Sequence, residues 1–169
     1  MENLQSLLKN QLLNAKRIAI FGIGSEIRAD DAVGVLAAQI LQKELTPTNN
    51  NYEFKVFIGG SAPENFTGDI KKFNPTHLII LDAADLGKKP GEIAIINQEQ
   101  ITGTSFSTHR MPTSMIVEYI KHYINCEVII LGIQPESLEF GKPVSPRVKA
   151  AIKEICRIFK YALADNKGK

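Results

Sequence analysis

The chain has no tryptophan and only two cysteines in 169 residues. Cys126 and Cys156 lie far apart in apolar patterns, without the spacing of a thiolate metal site. They read as reduced core residues of a cytoplasmic protein rather than as a disulfide framework. No apolar run approaches the roughly 20 residues that span a bilayer, so no membrane insertion is expected. Met1-Glu2-Asn3 lacks the basic and apolar regions of a secretion signal. A dense basic stripe is also missing. The 20 basic and 18 acidic residues are interspersed and leave a formal net charge of +2, which argues against nucleic acid as a partner. Nucleotide signatures fail as well. Gly22-Ile23-Gly24 would need a glycine at position 27 for a dinucleotide fingerprint, and Ile27 stands there; no Gly-Lys-Ser/Thr run follows any strand. Without a Gly-x-Ser-x-Gly elbow, a serine hydrolase mechanism has no support.

What is present alternates between short apolar runs and amphipathic stretches. Glu2 to Asn14 places Leu4, Leu7, Leu8 and Leu12 on one side, which predicts a helix packed on its own domain. Ile18 to Phe21 reads as a buried first strand, and Asp31 to about Leu45 as the helix after it. Tyr52 to Ile58 is a second strand, broken by Gly59-Gly60. Ser61-Ala62-Pro63-Glu64 then has capping-box spacing ahead of a short helix with Phe66, Ile70 and Phe73 inward. Thr76 to Leu81 is a third strand with Asp82 at its carboxyl end. Glu92 to Ile96 is a fourth, expected at an edge and antiparallel because the connection before it is too short for a helical crossover. Thr113 to Tyr123 is helical, with Ile116, Tyr119, Ile120 and Tyr123 on one face. Cys126 to Leu131 is a fifth strand. Ser145-Pro146 starts a last helix with Val148, Ile152, Ile155 and Phe159 inward. The succession implies one domain over residues 1–169, with residues 1–16 as an N-terminal helical extension. Its expected architecture is a three-layer α/β/α sandwich around a twisted, mostly parallel five-stranded sheet.

In such a sheet the carboxyl ends of the parallel strands share one edge, where sites form. Asp30 and Asp31 follow the first strand. Asp82 ends the third, with Asp85 close behind, and His109 sits in a loop that could fold over the same edge. Two carboxylates and one imidazole make a partial coordination set that suits zinc or nickel better than magnesium. Each acid also has a plain structural reading. One of the adjacent pair is expected to cap the following helix, and Asp82 could serve a turn. His77 enters a strand and His122 lies late on a helix, so both are weaker candidates.

Five motifs occur in order along the chain: Gly22-Ile23-Gly24-Ser25 with Asp30, Asp31 and Gly34; Gly59-Gly60-Ser61-Ala62-Pro63-Glu64-Asn65; Leu81-Asp82-Ala83-Ala84-Asp85 with Pro90-Gly91-Glu92-Ile93; Thr108-His109-Arg110-Met111-Pro112; and Leu131-Gly132-Ile133-Gln134-Pro135. From Arg17 to about Phe159 the chain thereby resembles the NiFe-hydrogenase maturation endopeptidases, HycI type. The resemblance implies removal of a C-terminal extension from a nickel-loaded hydrogenase large-subunit precursor. It further implies that Asp31, Asp82 and His109 bind metal and serve catalysis, leaving Asp30 as the cap. The nickel would come with the precursor, so no permanently bound cofactor is expected, and the protein is expected to act as a monomer in the cytoplasm. Gly59, Gly60 and Ser61, together with the loops at 102–108 and 132–140, are expected to line the substrate cleft.

Two departures from the family pattern stand out. Ser25 replaces the usual Asn after the second glycine, and Ile58 stands where members commonly carry Asp before the paired glycines, a region tied to substrate selection. A receiver domain resembles the chain in its acids but would need a Lys after the fifth strand, where Gly132 to Pro135 supply none. A non-proteolytic metal-binding chaperone is the other alternative.

Overall fold

The computed structural model describes residues 3–45, 52–97 and 113–164. The chain begins with helix α1 (Leu4–Gln11), capped by the Asn3 side chain, and enters β1 (Arg17–Ile23). A 3-10 turn (Ala29–Ala32) leads into α2 (Val33–Glu44). Then come β2 (Glu53–Gly60), a second 3-10 turn (Pro63–Phe66), α3 (Thr67–Phe73) and β3 (His77–Ala83). β4 (Ile93–Ile96), α4 (Thr113–Tyr123), β5 (Glu127–Ile133) and α5 (Pro146–Leu163) complete the described chain.

The five strands lie in the order β2-β1-β3-β5-β4. β2, β1, β3 and β5 are mutually parallel, and β4 is an antiparallel edge strand with Ile93 opposite Ile133. The sheet is thus mostly parallel, as the succession of elements implied. Strand side chains alternate between two cores, as a period of two requires. Ile18, Ile20, Ile79, Leu81, Ile129 and Leu131 face α1, α2 and α5. Ala19, Phe21, Leu78, Ile80, Val128 and Ile130 face α3 and α4. Both faces are covered, which is why these strands read as continuous apolar runs. Leu8 and Leu12 are fully buried in the first core together with Phe159, so the N-terminal helix does pack on its own domain.

Helix α2 approaches the sheet closely at its first turn. A Cβ on Gly34 would collide with the carbonyl oxygens of Leu81 and Ile23. The absent side chain lets the helix start rest on the ends of β1 and β3, which holds the 3-10 turn before it over the carboxyl edge.

Three local expectations change. β2 runs through Gly59 and Gly60 instead of stopping at Ile58. The Ser61–Glu64 capping box does not form, because the residue before the Pro63–Phe66 turn is Ala62 and no side chain caps it. Glu64 Oε2 is instead buried with no hydrogen-bond partner among the described residues. On α4 the inward residues are Ile116, Val117 and Ile120, whereas Tyr119 and Tyr123 are exposed and in ring contact with each other. The tyrosines sit on the flank of the apolar face, and the Lys71 Nζ lies 4.7 Å from the centre of the Tyr123 ring. Ser145 does cap the last helix, its hydroxyl accepting the Val148 N–H, with Pro146 at the first position.

Candidate active site

Five polar or charged side chains are buried among the described residues: Asp30, Asp31, His77, Asp82 and Thr113. His77 lies at the amino end of β3, where its ring meets the Thr76 hydroxyl at 3.0 Å and burial lowers its pKa. The other four gather at the carboxyl edge. Burying a carboxylate is unfavourable unless the fold supplies partners, so three in one place mark a built site.

Asp30 and Asp31 leave the Ala29–Ala32 turn in different directions. Successive side chains of a 3-10 turn project about 120° apart. Asp31 folds back on its own loop, where Oδ2 accepts the Ser25 N–H at 3.0 Å. This bond uses the main chain of position 25, so serine there serves it as well as asparagine would.

Asp30 turns toward the segment after β5. Its Oδ2 accepts the Glu136 N–H at 2.8 Å, the Ser137 N–H at 3.1 Å and the Ser145 hydroxyl at 3.0 Å. Its Oδ1 accepts the Ser145 N–H at 2.7 Å. The expectation that Asp30 caps the following helix is therefore corrected. The 3-10 turn occupies the nearby amides with its own carbonyls: Asp31 N–H bonds to Arg28 O, and Val33 N–H to Asp30 O. Ala32 precedes α2, and no side chain caps it. Asp30 acts as a clamp between the β1 loop and the β5 loop.

Asp82 stands at the end of β3, opposite Gly132 of β5. Its Oδ2 accepts the Thr113 hydroxyl from the first turn of α4 at 2.8 Å. Burial pushes the Asp82 carboxyl up to about 8; the Thr113 bond pulls it back in part, and the negative charge of Asp31 raises it further. The two carboxylates are thus electrostatic neighbours, and Asp82 holds a proton at neutral pH. Gln134 fastens the loop beyond Asp82, its Oε1 accepting the Leu86 N–H at 2.7 Å and the Lys88 N–H at 3.3 Å. Asp85 is exposed and accepts the Gly87 N–H, a turn role.

Gly59, Gly60 and Ser61 lie at the carboxyl end of β2, next to the β1 loop, where Gly60 O accepts the Gly24 N–H at 3.0 Å. A Cβ on Gly59 would come to 2.5 Å from the Phe21 ring, so this glycine serves close packing. Gly60 has φ +60° and open space on its side-chain position, and Ser61 is exposed. His109 and the loop at 102–108 fall outside the described residues. Among the described residues no group of three His, Cys, Asp or Glu side chains converges as a metal cluster, so Asp31 and Asp82 contribute a pair of carboxylates there.

Residues 35–160 match the family described as HycI, hydrogenase maturation protease. This chain belongs to that family. The match starts just after Asp31 and takes in Asp82 and the segment of His109. A Methanocaldococcus jannaschii protein bearing a hydrogenase maturation protease name is 41% identical over 152 residues, covering 86% of this chain and 88% of its own. The hydrogenase 3 maturation protease of Escherichia coli K12 is 37% identical over 134 residues, covering 79% and 82%. The crystal structure of HycI from Thermococcus kodakarensis aligns with a TM-score of 0.81 at 31% identity, covering 95% of this chain and 100% of that one. The protease is accordingly a hydrolase of peptide bonds. A proton-holding carboxyl beside a second carboxylate is the kind of pair that divides acid and base work at one site.

Three contributors were missed in the sequence. Thr113 showed only as the first residue of a helix, Gln134 only as part of a motif, and the clamp role of Asp30 not at all.

Proposed function

We propose that this protease removes the C-terminal extension of a NiFe-hydrogenase large-subunit precursor, and that Asp31, Asp82 and His109 recognise the nickel the precursor carries. The observation that bears most weight is the pair of buried carboxylates converging from the β1 loop and the end of β3. The family membership and the hydrogenase 3 maturation protease among the relatives support the substrate class. Nickel arrives as cargo held by thiolates of the precursor, and carboxylate and imidazole donors suit its remaining positions. Ligation by Asp82 requires loss of its proton, so docking of a loaded precursor releases a proton at neutral pH. An empty precursor lacks the ion that fastens it, which makes nickel occupancy the condition for cleavage. Bound nickel would polarise the scissile carbonyl, while water adds to the carbonyl carbon and the amide nitrogen leaves with a proton. The protein works as a monomer in the cytoplasm, and among the described residues no helix is long and apolar enough to cross a membrane.

The test is incubation with nickel-loaded and nickel-free precursor, followed by mass spectrometry of the precursor's C-terminus. The wild type should release the terminal peptide only from the loaded form. Asp31→Asn, Asp82→Asn and His109→Ala should each fold and fail to release it. Equal cleavage of both forms would remove the nickel requirement, and binding without any cleavage would leave a chaperone in place of a protease.

A further inference from the structure

Phe140 and Ile27 are the two most exposed large apolar side chains among the described residues, at 75% and 60%. They come from different loops, one after β5 and one after β1, yet their backbones are adjacent. The Gly141 N–H donates to Ile27 O at 2.8 Å, and the Arg28 guanidinium donates to Leu138 O at 3.4 Å. Asp30, three residues beyond Ile27, ties the same loops together through Glu136, Ser137 and Ser145. The loop that carries Ile27 is closed by the bond from the Ser25 N–H to Asp31 Oδ2, so Ile27 lies in the same loop as one of the two carboxylates of the edge.

A flexible loop would fold such side chains against the protein. These loops are held by a fully buried carboxylate and main-chain bonds, so both side chains stay presented to solvent. An apolar pair fixed in this way binds with little further loss of conformational freedom. Glu26, Glu136, Glu139 and Lys142 are exposed neighbours of the pair in sequence.

We propose that Ile27 and Phe140 form a specificity lip that grips an apolar side chain of the precursor beside the scissile bond. The proposal rests on the reading of the substrate given above. The lip contributes to holding the polypeptide and not to the bond cleavage itself.

The test compares the wild type, the double variant Ile27→Ser/Phe140→Ser and Leu13→Ser on nickel-loaded precursor, with KM and kcat measured separately. Leu13 is exposed to a similar degree, 58%, at the opposite end of β1, and serves as the control. The double variant should keep the wild-type urea midpoint and a kcat within about two-fold, while KM rises about ten-fold or more. Leu13→Ser should match the wild type in every parameter. An unchanged KM in the double variant, or an equal rise in Leu13→Ser, overturns the lip while leaving the protease reading intact. A wild type that fails to cleave any precursor overturns both.

Discussion

Replacing Asp30 tests whether the neighbour of Asp31 holds the active edge together by tying two loops. In the fold its carboxylate accepts three main-chain N–H groups and one hydroxyl, all between 2.7 and 3.1 Å. Hydrogen bonds to a charged group contribute about 1.5 to 3 kcal/mol each, and a donor left without a partner costs about 1 to 3 kcal/mol. Two effects reduce the simple sum. The four donors are only partly buried, so water can reach some of them, and removing the charge relieves its own desolvation. For Asp30→Ala the balance is a loss of about 3 to 5 kcal/mol. Asp30→Asn keeps a carbonyl oxygen for the three donors on Oδ2 but sets an NH2 group against the Ser145 N–H, for a loss of about 1 to 3 kcal/mol. Urea unfolding at pH 7 with linear extrapolation measures both values. Amide exchange at Glu136, Ser137 and Ser145 should speed up more than exchange in the core strands. An Asp30→Ala protein within about 1 kcal/mol of the wild type, with protection at those three amides unchanged, would refute the clamp.

Two further predictions concern the strand ends. Asp82 has its carboxyl raised to about 8 in the fold, against 3.8 for an unperturbed aspartate. Between these values the folded state keeps a proton that the unfolded chain has lost, so stability falls as pH rises, by up to about 1.4 kcal/mol per pH unit. Asp82→Asn removes this dependence and still accepts the Thr113 hydroxyl, so metal-free variant and wild type should be alike near pH 4 and the variant more stable by several kcal/mol near pH 8; parallel pH–stability curves would contradict the assignment. Gly34→Ala should destabilise by about 3 kcal/mol, because its methyl group meets two carbonyl oxygens that belong to strand ends and cannot rotate away. In a domain of this size that is a fall in Tm of about 6 to 12 °C, read by calorimetry, and a change below about 2 °C would show that α2 can move.

The amino-acid sequence by itself determined the kind of fold and which acids stand at strand ends. Strands buried on both faces must be continuous apolar runs, and helices packed on a sheet must repeat about every 3.6 residues; both marks are local and readable. The short Asp85 to Gly91 connection was enough to make β4 antiparallel, as it is. The partners of the acids were not readable. Asp30 finds its donors 106 to 115 residues away, and no local pattern encodes that distance. Asp30 and Asp31 are chemically identical neighbours, and only the winding of the 3-10 turn sends one to the β5 loop and the other back to Ser25. Ile27 and Phe140 likewise look like ordinary apolar residues until the chain closes around Asp30 and leaves them outside. Burial and direction are properties of the assembled layers, so only the tertiary structure showed that Asp30 ties two distant loops together while Asp31 bonds within its own loop.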